Sequence, residues 1–269
     1  MRWKAAFPMY AVSEQVRAGY EAWFDALLAG LRLEGFTDPV DLVRAAPLPG
    51  FFRRADVLLG QTCGYPYLTH LRGHVRLVAT PAYDFPGCDG ADYASAIVVR
   101  ADSGIATLED ARGRIAAAND IDSNSGMNAL RHAVAPLARD GRFFSAVRWS
   151  GSHRASLDLV RTGEADLAAI DCVTLGYLLQ AQAHAGAVDG LSVLGYTAPS
   201  PGLPLVAGLS VPPALHRQLQ AALLAPGVAV QAHMAALSIR RFDLLDDVGY
   251  ARILSLETQA LAAGYPHLA

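Results

Sequence analysis

Long apolar runs are missing from this sequence. Although 52% of its 269 residues are hydrophobic, nowhere do they continue for the ~18 positions that a membrane-spanning helix needs. Direct membrane insertion is therefore not expected. Basic runs are missing too, and the formal net charge is -3. A chain without a Lys/Arg cluster has no electrostatic footprint for nucleic acid or for an anionic membrane surface. Cysteines are scarce and odd in number: Cys63, Cys88 and Cys172, widely spaced. They imply no disulfide framework and fit a reducing compartment. Cys63, Cys172 and His153 lack the short spacings of a metal site, and no cofactor is implied. The opening stretch from Met1 to Tyr10 is stopped by Pro8 before it reaches signal-peptide length. As written the chain reads as cytoplasmic; a leader upstream of Met1 would make it periplasmic.

What is present is a regular alternation of short apolar runs with longer stretches of helical period. Strands are expected at residues 2–7, 56–60, 75–79, 93–99, 114–118, 147–149, 166–170, 191–197 and, as the last, 205–210. The longest helix is expected from Ser13 to Gly35, with Val16, Tyr20, Phe24, Leu27 and Leu31 on one stripe. A short helical piece is expected from Thr37, broken by Pro47-Leu48-Pro49-Gly50, and residues 80–92 are expected as loop. After residue 210 only helices are expected, at 213–224, 228–237 and 250–263. Alternation of this kind predicts an α/β fold with mostly parallel sheets flanked by helices.

In open parallel sheets ligands gather beyond the carboxyl ends of the strands. The loops there are the polar ones: Met9-Tyr10, Thr62-Cys63-Gly64-Tyr65, Asn119 to Gly126, Ser152-His153 and Asp171 to Thr174. The helix-to-strand turns at residues 111–113 and 161–163 read as plain connectors. The asymmetry points to a single functional cleft. The stretch Asn119-Asp120-Ile121-Asp122-Ser123-Asn124-Ser125-Gly126 is built almost wholly from Asn, Asp, Ser and Gly. It joins the strand 114–118 to a helix carrying Leu130, Val134 and Leu137. Unpaired amides at a helix start, with hydroxyls beside them, suit a small anion, and they equally suit an ordinary capped turn.

The Ser123-Asn124-Ser125-Gly126, Gly151-Ser152-His153 and Ala169-Ile170-Asp171 elements, in that order, resemble the PhnD-like family. These are the phosphate-, phosphite- and phosphonate-binding components of ABC transporters. Tyr93-Ala94-Ser95, leading into Ile97-Val98-Val99, matches that family's crossing strand. The resemblance runs from Met9 to about Leu209. It implies the two-lobed type 2 periplasmic-binding-protein fold with a cleft between the lobes. Residues 1–84 and 198–269 would form one lobe and 85–197 the other, with crossings near 81–93 and 195–205. It also implies a small oxyanion ligand and an ABC permease as partner.

Carried over by resemblance, Ser123 and Ser125 offer hydroxyls, and Asn124 and Gly126 offer amides. His153 donates from the start of its helix, and Asp171 accepts from a protonated ligand oxygen or an amine. Tyr10, Tyr65 and Tyr93 wall the site, and Thr62, Cys63, Ser95, Asn119 and Ser152 complete its lining. Asp171 is equally suited to capping the next helix, Tyr10 and Tyr65 to packing, and Cys63 and Cys172 to serving as small buried apolar groups. The alternative is a cytosolic enzyme on the same fold with Cys172 as nucleophile, His153 as base and Asp171 or Asp122 orienting it.

Overall fold

The computed structural model describes residues 1–48, 50–180 and 186–269; Pro49, one of the expected helix breakers, lies outside them. The chain runs through β1 (Trp3–Ala6), α1 (Glu14–Leu33), β2 (Val40–Leu42), β3 (Val57–Gln61), α2 (Gly64–Pro66) and β4 (Val75–Tyr83). Two short strands, β5 (Cys88–Asp89) and β6 (Asp92–Tyr93), come next. Then follow β7 (Ser95–Arg100), β8 (Ile115–Ala118), α3 (Ala129–Val134), β9 (Ala146–Trp149), α4 (His153–Thr162), β10 (Leu167–Asp171) and α5 (Cys172–Gln180). The last third holds β11 (Leu191–Tyr196), β12 (Ser200–Pro201), β13 (Leu205–Gly208), α6 (Pro213–Leu224), α7 (Val228–Ala236), β14 (Ile239–Asp243) and α8 (Asp247–Ala262). No single helix among the described residues is long and apolar enough to cross a membrane.

The chain divides into two compact units. The first comprises Met1–Asp84, Asp89–Ala91 and Pro201–Tyr250. Its six-stranded sheet has the order β14-β4-β13-β3-β1-β2. β1 is parallel to β2 and β3, whereas β13 and β14 run antiparallel to their neighbours. Helix α1 forms because Val16, Tyr20, Trp23, Phe24, Leu27, Leu28 and Leu31 recur on one face, and all are buried. Ser13 caps it by accepting from the Val16 amide at 3.2 Å. Gly35, at φ +95°, takes the left-handed turn that ends it. Trp23 stacks on Phe242 and meets Phe7 edge-on, with ring centroids 5.8 and 5.4 Å apart.

The second unit comprises Phe85–Cys88, Asp92–Ser200 and Ala251–Ala269. Its five-stranded sheet has the order β11-β7-β10-β8-β9. β8 is parallel to β9 and β10, and β7 is antiparallel to β10 and β11. Parallel pairing thus covers only part of each sheet, against the expectation of mostly parallel sheets.

Four expectations are corrected. The stretch after Pro39 is strand β2, held because Trp3 donates to the Pro39 carbonyl and Val43 to that of Ala5. Strand β4 runs on through Pro81 to Tyr83, where residues 80–92 were expected as loop. The expected last strand, 205–210, is followed by β14, an additional strand pairing with the end of β4. Finally, residues 251–269 cluster with the second unit rather than with 198–250. There Phe143 and Phe144 donate to the Ala269 carbonyl at 2.8 and 3.0 Å.

Candidate functional site

The second unit holds Tyr93, Ser95, Asn119, Ser123, Asn124, Ser125, Gly126, Ser152, His153 and Asp171; Tyr10, Thr62, Cys63 and Tyr65 belong to the first. Strand β8 delivers the chain to Asn119, and after a tight polar turn Ser123 begins a π-helical turn over Asn124–Asn128 that continues into α3. Ser123 Oγ accepts from the Gly126 amide at 2.9 Å. The amides of Asn124 and Ser125 precede any carbonyl that this turn could offer them. Asp120 and Asp122 fold onto each other, with the Asp122 amide donating to Asp120 Oδ1 at 2.9 Å.

Gly126 is demanded by packing rather than by its backbone angles. A Cβ built on it would fall 1.8 Å from Asn119 Oδ1 and 2.8 Å from Asn119 Cγ. Asn119 Oδ1 is itself buried and has no hydrogen-bond partner. An unpaired buried acceptor carries an unmet desolvation penalty of about 1–3 kcal/mol.

His153 opens α4 directly after Ser152, whose Oγ caps that helix by accepting from the Ala155 amide at 3.1 Å. The His153 ring meets Ser125, with Nε2 and Oγ 2.8 Å apart. Burial pushes the imidazole down to about 4, against the opposing pull of the Ala169 carbonyl. It is therefore neutral at pH 7, and Nε2 can either donate or accept. Because the folded state binds this proton less readily than the unfolded chain, stability is unaffected above about pH 6.5 and falls as the pH drops toward 4. The slope should reach at most ~1.4 kcal/mol per pH unit in that window. Urea melts of the wild type and His153→Gln between pH 7 and 4 check this: the variant should lose that part of the pH dependence, and parallel curves would refute the assignment.

Ser95 lies across from Asp171 in the β7–β10 ladder. Its Oγ donates to the Ser125 carbonyl at 3.0 Å, so this hydroxyl braces the turn. Asp171 caps α5: Oδ1 accepts from the Val173 and Thr174 amides at 2.8 and 3.0 Å. In the first unit, Tyr10 packs edge-on against Tyr83, and the Thr62 amide donates to the Pro204 carbonyl at 3.1 Å. The Cys63 carbonyl accepts from Tyr67, and that of Tyr65 from the Thr69 hydroxyl.

Behind the turn lies a polar line that the sequence reading missed. Asn124 Nδ2 donates to Tyr93 Oη at 3.1 Å and to Ser200 Oγ at 2.8 Å. Asn128 Nδ2 donates to Asn124 Oδ1 and to the Ile253 carbonyl, both at 3.0 Å. Arg131 donates to Asn128 Oδ1 at 2.8 Å and to the Pro266 carbonyl at 3.0 Å, and it pairs with Glu257 at 3.3 Å. Asn124, Asn128 and Arg131 stand at i, i+4 and i+7, one face of a continuous helical turn. That spacing was visible in the chain; Ser200, Ile253 and Pro266 had no such local signal.

The thiol alternative does not assemble. Cys172 Sγ faces Cys88 Sγ at 3.4 Å, while His153 Nε2 is on Ser125. The contact with Cys88, then burial and the Asp171 carboxylate, push the Cys172 thiol far up, the opposite of an activated nucleophile.

The two α/β units and their topology define the fold of periplasmic substrate-binding proteins. A family model described as "ABC transporter, phosphonate, periplasmic substrate-binding protein" matches residues 10–250, and the chain belongs to that family. Its role is thus to bind a small ligand for a transport system. Among solved structures it is similar to a binding protein component of an ABC phosphonate transporter from Pseudomonas aeruginosa, with 18% identity over 98% of this chain and 87% of that one and a TM-score of 0.79. It is also similar to PhnD1 from Prochlorococcus marinus in complex with methylphosphonate, with 15% identity over 96% and 97% of the chains and a TM-score of 0.76. XAC2383 from Xanthomonas citri, bound to ATP, gives 18% identity over 98% of each chain and a TM-score of 0.69. No curated protein matches the chain.

Proposed function

We propose that the protein binds a small tetrahedral oxyanion of the phosphonate, phosphite or phosphate class at the Ser123–Gly126 turn, and passes it to an ABC permease. The observation that carries this reading is the meeting of Ser125 and His153, each at the start of its own helix, at 2.8 Å. Each satisfies the other. A ligand oxygen replaces that mutual bond with one to each partner. The Asn124 and Ser125 amides add directed donors, and Asn119 Oδ1 suits a protonated ligand oxygen. From Asn119 onward no Lys or Arg occurs before Arg131, and that guanidinium is engaged with Asn128 and Glu257. Recognition therefore rests on neutral dipoles and depends only modestly on salt.

Thermal unfolding with methylphosphonate, phosphite, phosphate and sulfate tests the proposal. At 100 times its Kd a ligand stabilises the fold by about 2.7 kcal/mol, a readily measured shift; neutral amino acids and sugars should give none. Ser125→Ala should weaken binding roughly ten-fold or more, one hydrogen bond to a charged group being ~1.5–3 kcal/mol. No shift from any of the four anions at millimolar concentration would overturn the reading.

A further inference from the structure

Cys88 and Cys172 are far apart in sequence, yet their sulfurs stand 3.4 Å apart within the second unit. The surrounding backbone holds them there from both sides. The Cys172 amide donates to the Ala94 carbonyl at 3.2 Å, and the Ala94 amide donates to the Gly87 carbonyl at 2.8 Å. Gly87 lies hard against Cys172: a Cβ on Gly87 would come 3.0 Å from Cys172 Cβ and 2.8 Å from the Tyr196 ring. Its φ of +95° also excludes most other residues. Two cysteine side chains packed this closely need a movement of little more than 1 Å to reach the ~2.05 Å of a disulfide.

We propose that Cys88 and Cys172 form a reversible dithiol–disulfide pair, a covalent modification site at the point where the chain leaves the second unit for Asp89–Ala91. The oxidant is a low-molecular-weight disulfide, RSSR. Cys88, the half-buried member, attacks as thiolate and becomes a mixed disulfide while RS⁻ leaves and takes up a proton. Cys172, only 2% exposed, then loses its proton and attacks the Cys88 sulfur, expelling the second RSH. Two protein thiols are oxidised and one RSSR is reduced to two RSH. The second step is slow at neutral pH, because burial and the Asp171 carboxylate still hold its thiol in the protonated form, and it quickens as the pH rises. The bond would fasten residues 85–88 to the first turn of α5.

The experiment treats the folded protein with oxidised glutathione at roughly pH 7 and pH 9, bracketing the ordinary thiol range. It counts thiols, measures intact mass and maps the linked peptides. Two of the three thiols should disappear without a glutathione adduct, faster at the higher pH. The linked peptides should contain Cys88 and Cys172, and dithiothreitol should restore all three thiols. Cys63→Ser should behave the same with two thiols, whereas Cys88→Ser should form no internal bond. Three thiols persisting in the folded protein, a stable glutathione adduct on Cys88, or a bridge that includes Cys63 would each overturn the proposal.

Discussion

Replacing Arg131 by Met is expected to lower the unfolding free energy by about 3–5 kcal/mol, the usual effect of removing one member of a buried charged pair. Three acceptors lose a donor at once. These are Asn128 Oδ1, the Pro266 carbonyl and the Glu257 carboxylate, which is only 28% exposed. Set against a total of about 5–15 kcal/mol for a typical domain, this is a large fraction. Ligand affinity should fall as well, since Asn128 orients Asn124 and Asn124 holds the turn to Tyr93 and Ser200. Arg131→Lys should lie between, because one ammonium cannot reproduce the fork that spans Asn128 and Pro266. Glu257→Gln should be milder than Arg131→Met, since it removes charge while leaving the other two bonds. Urea unfolding of the three variants measures this. A loss below about 1 kcal/mol for Arg131→Met, the level of an exposed ion pair, would show that the line contributes nothing special.

Gly126→Ala should be the most damaging single-atom addition in the turn. Its methyl group would overlap Asn119 Oδ1 at 1.8 Å, so the Asn119 side chain must leave its place or the turn must move. Overpacking of this kind costs about 1–3 kcal/mol of stability. If the turn moves, the Ser125 hydroxyl and the neighbouring amides lose their aim, and affinity should fall on the order of 100-fold, or about 2.7 kcal/mol. Asn119→Ala removes both clashing atoms. The double variant Asn119→Ala/Gly126→Ala should therefore recover most of the stability, and the cycle isolates the contact. Because Asn119 is itself proposed to accept from the ligand, binding should recover less completely than folding. Unchanged melting and binding in Gly126→Ala alone would show that the close approach is not what requires glycine there.

Local signals proved sufficient wherever a structural decision is made within one turn of chain. Ser13 and Ser152 stand at helix starts with their hydroxyls on the amide three residues on. Gly35 and Gly163 follow helices at positive φ. The strand–turn–helix around Ser123 followed from the clustering of Asn, Ser and Gly, and the family resemblance rested on that turn together with Gly151-Ser152-His153 and Ala169-Ile170-Asp171. Strand β14 escaped detection because Ile239-Arg240-Arg241-Phe242-Asp243 buries only Ile239 and Phe242, and two arginines break the alternation that marks a half-buried strand. Strand β2 escaped because its three residues are all only partly buried, and it owes its conformation to hydrogen bonds with β1.

What the sequence by itself determined, then, was the α/β alternation, the caps, the family and the turn that presents Ser125 beside a run of helix-start amides. Each is read from short local segments, the family from several of them taken in order. Only the tertiary structure decided that His153 reaches Ser125 and that Arg131 reaches the Pro266 carbonyl. It alone placed Cys88 against Cys172 and the last nineteen residues with the second unit. The physical reason is common to all of these. A side chain's partner across 28 to 135 positions is set by how sheets and helices pack, and no local periodicity encodes that distance.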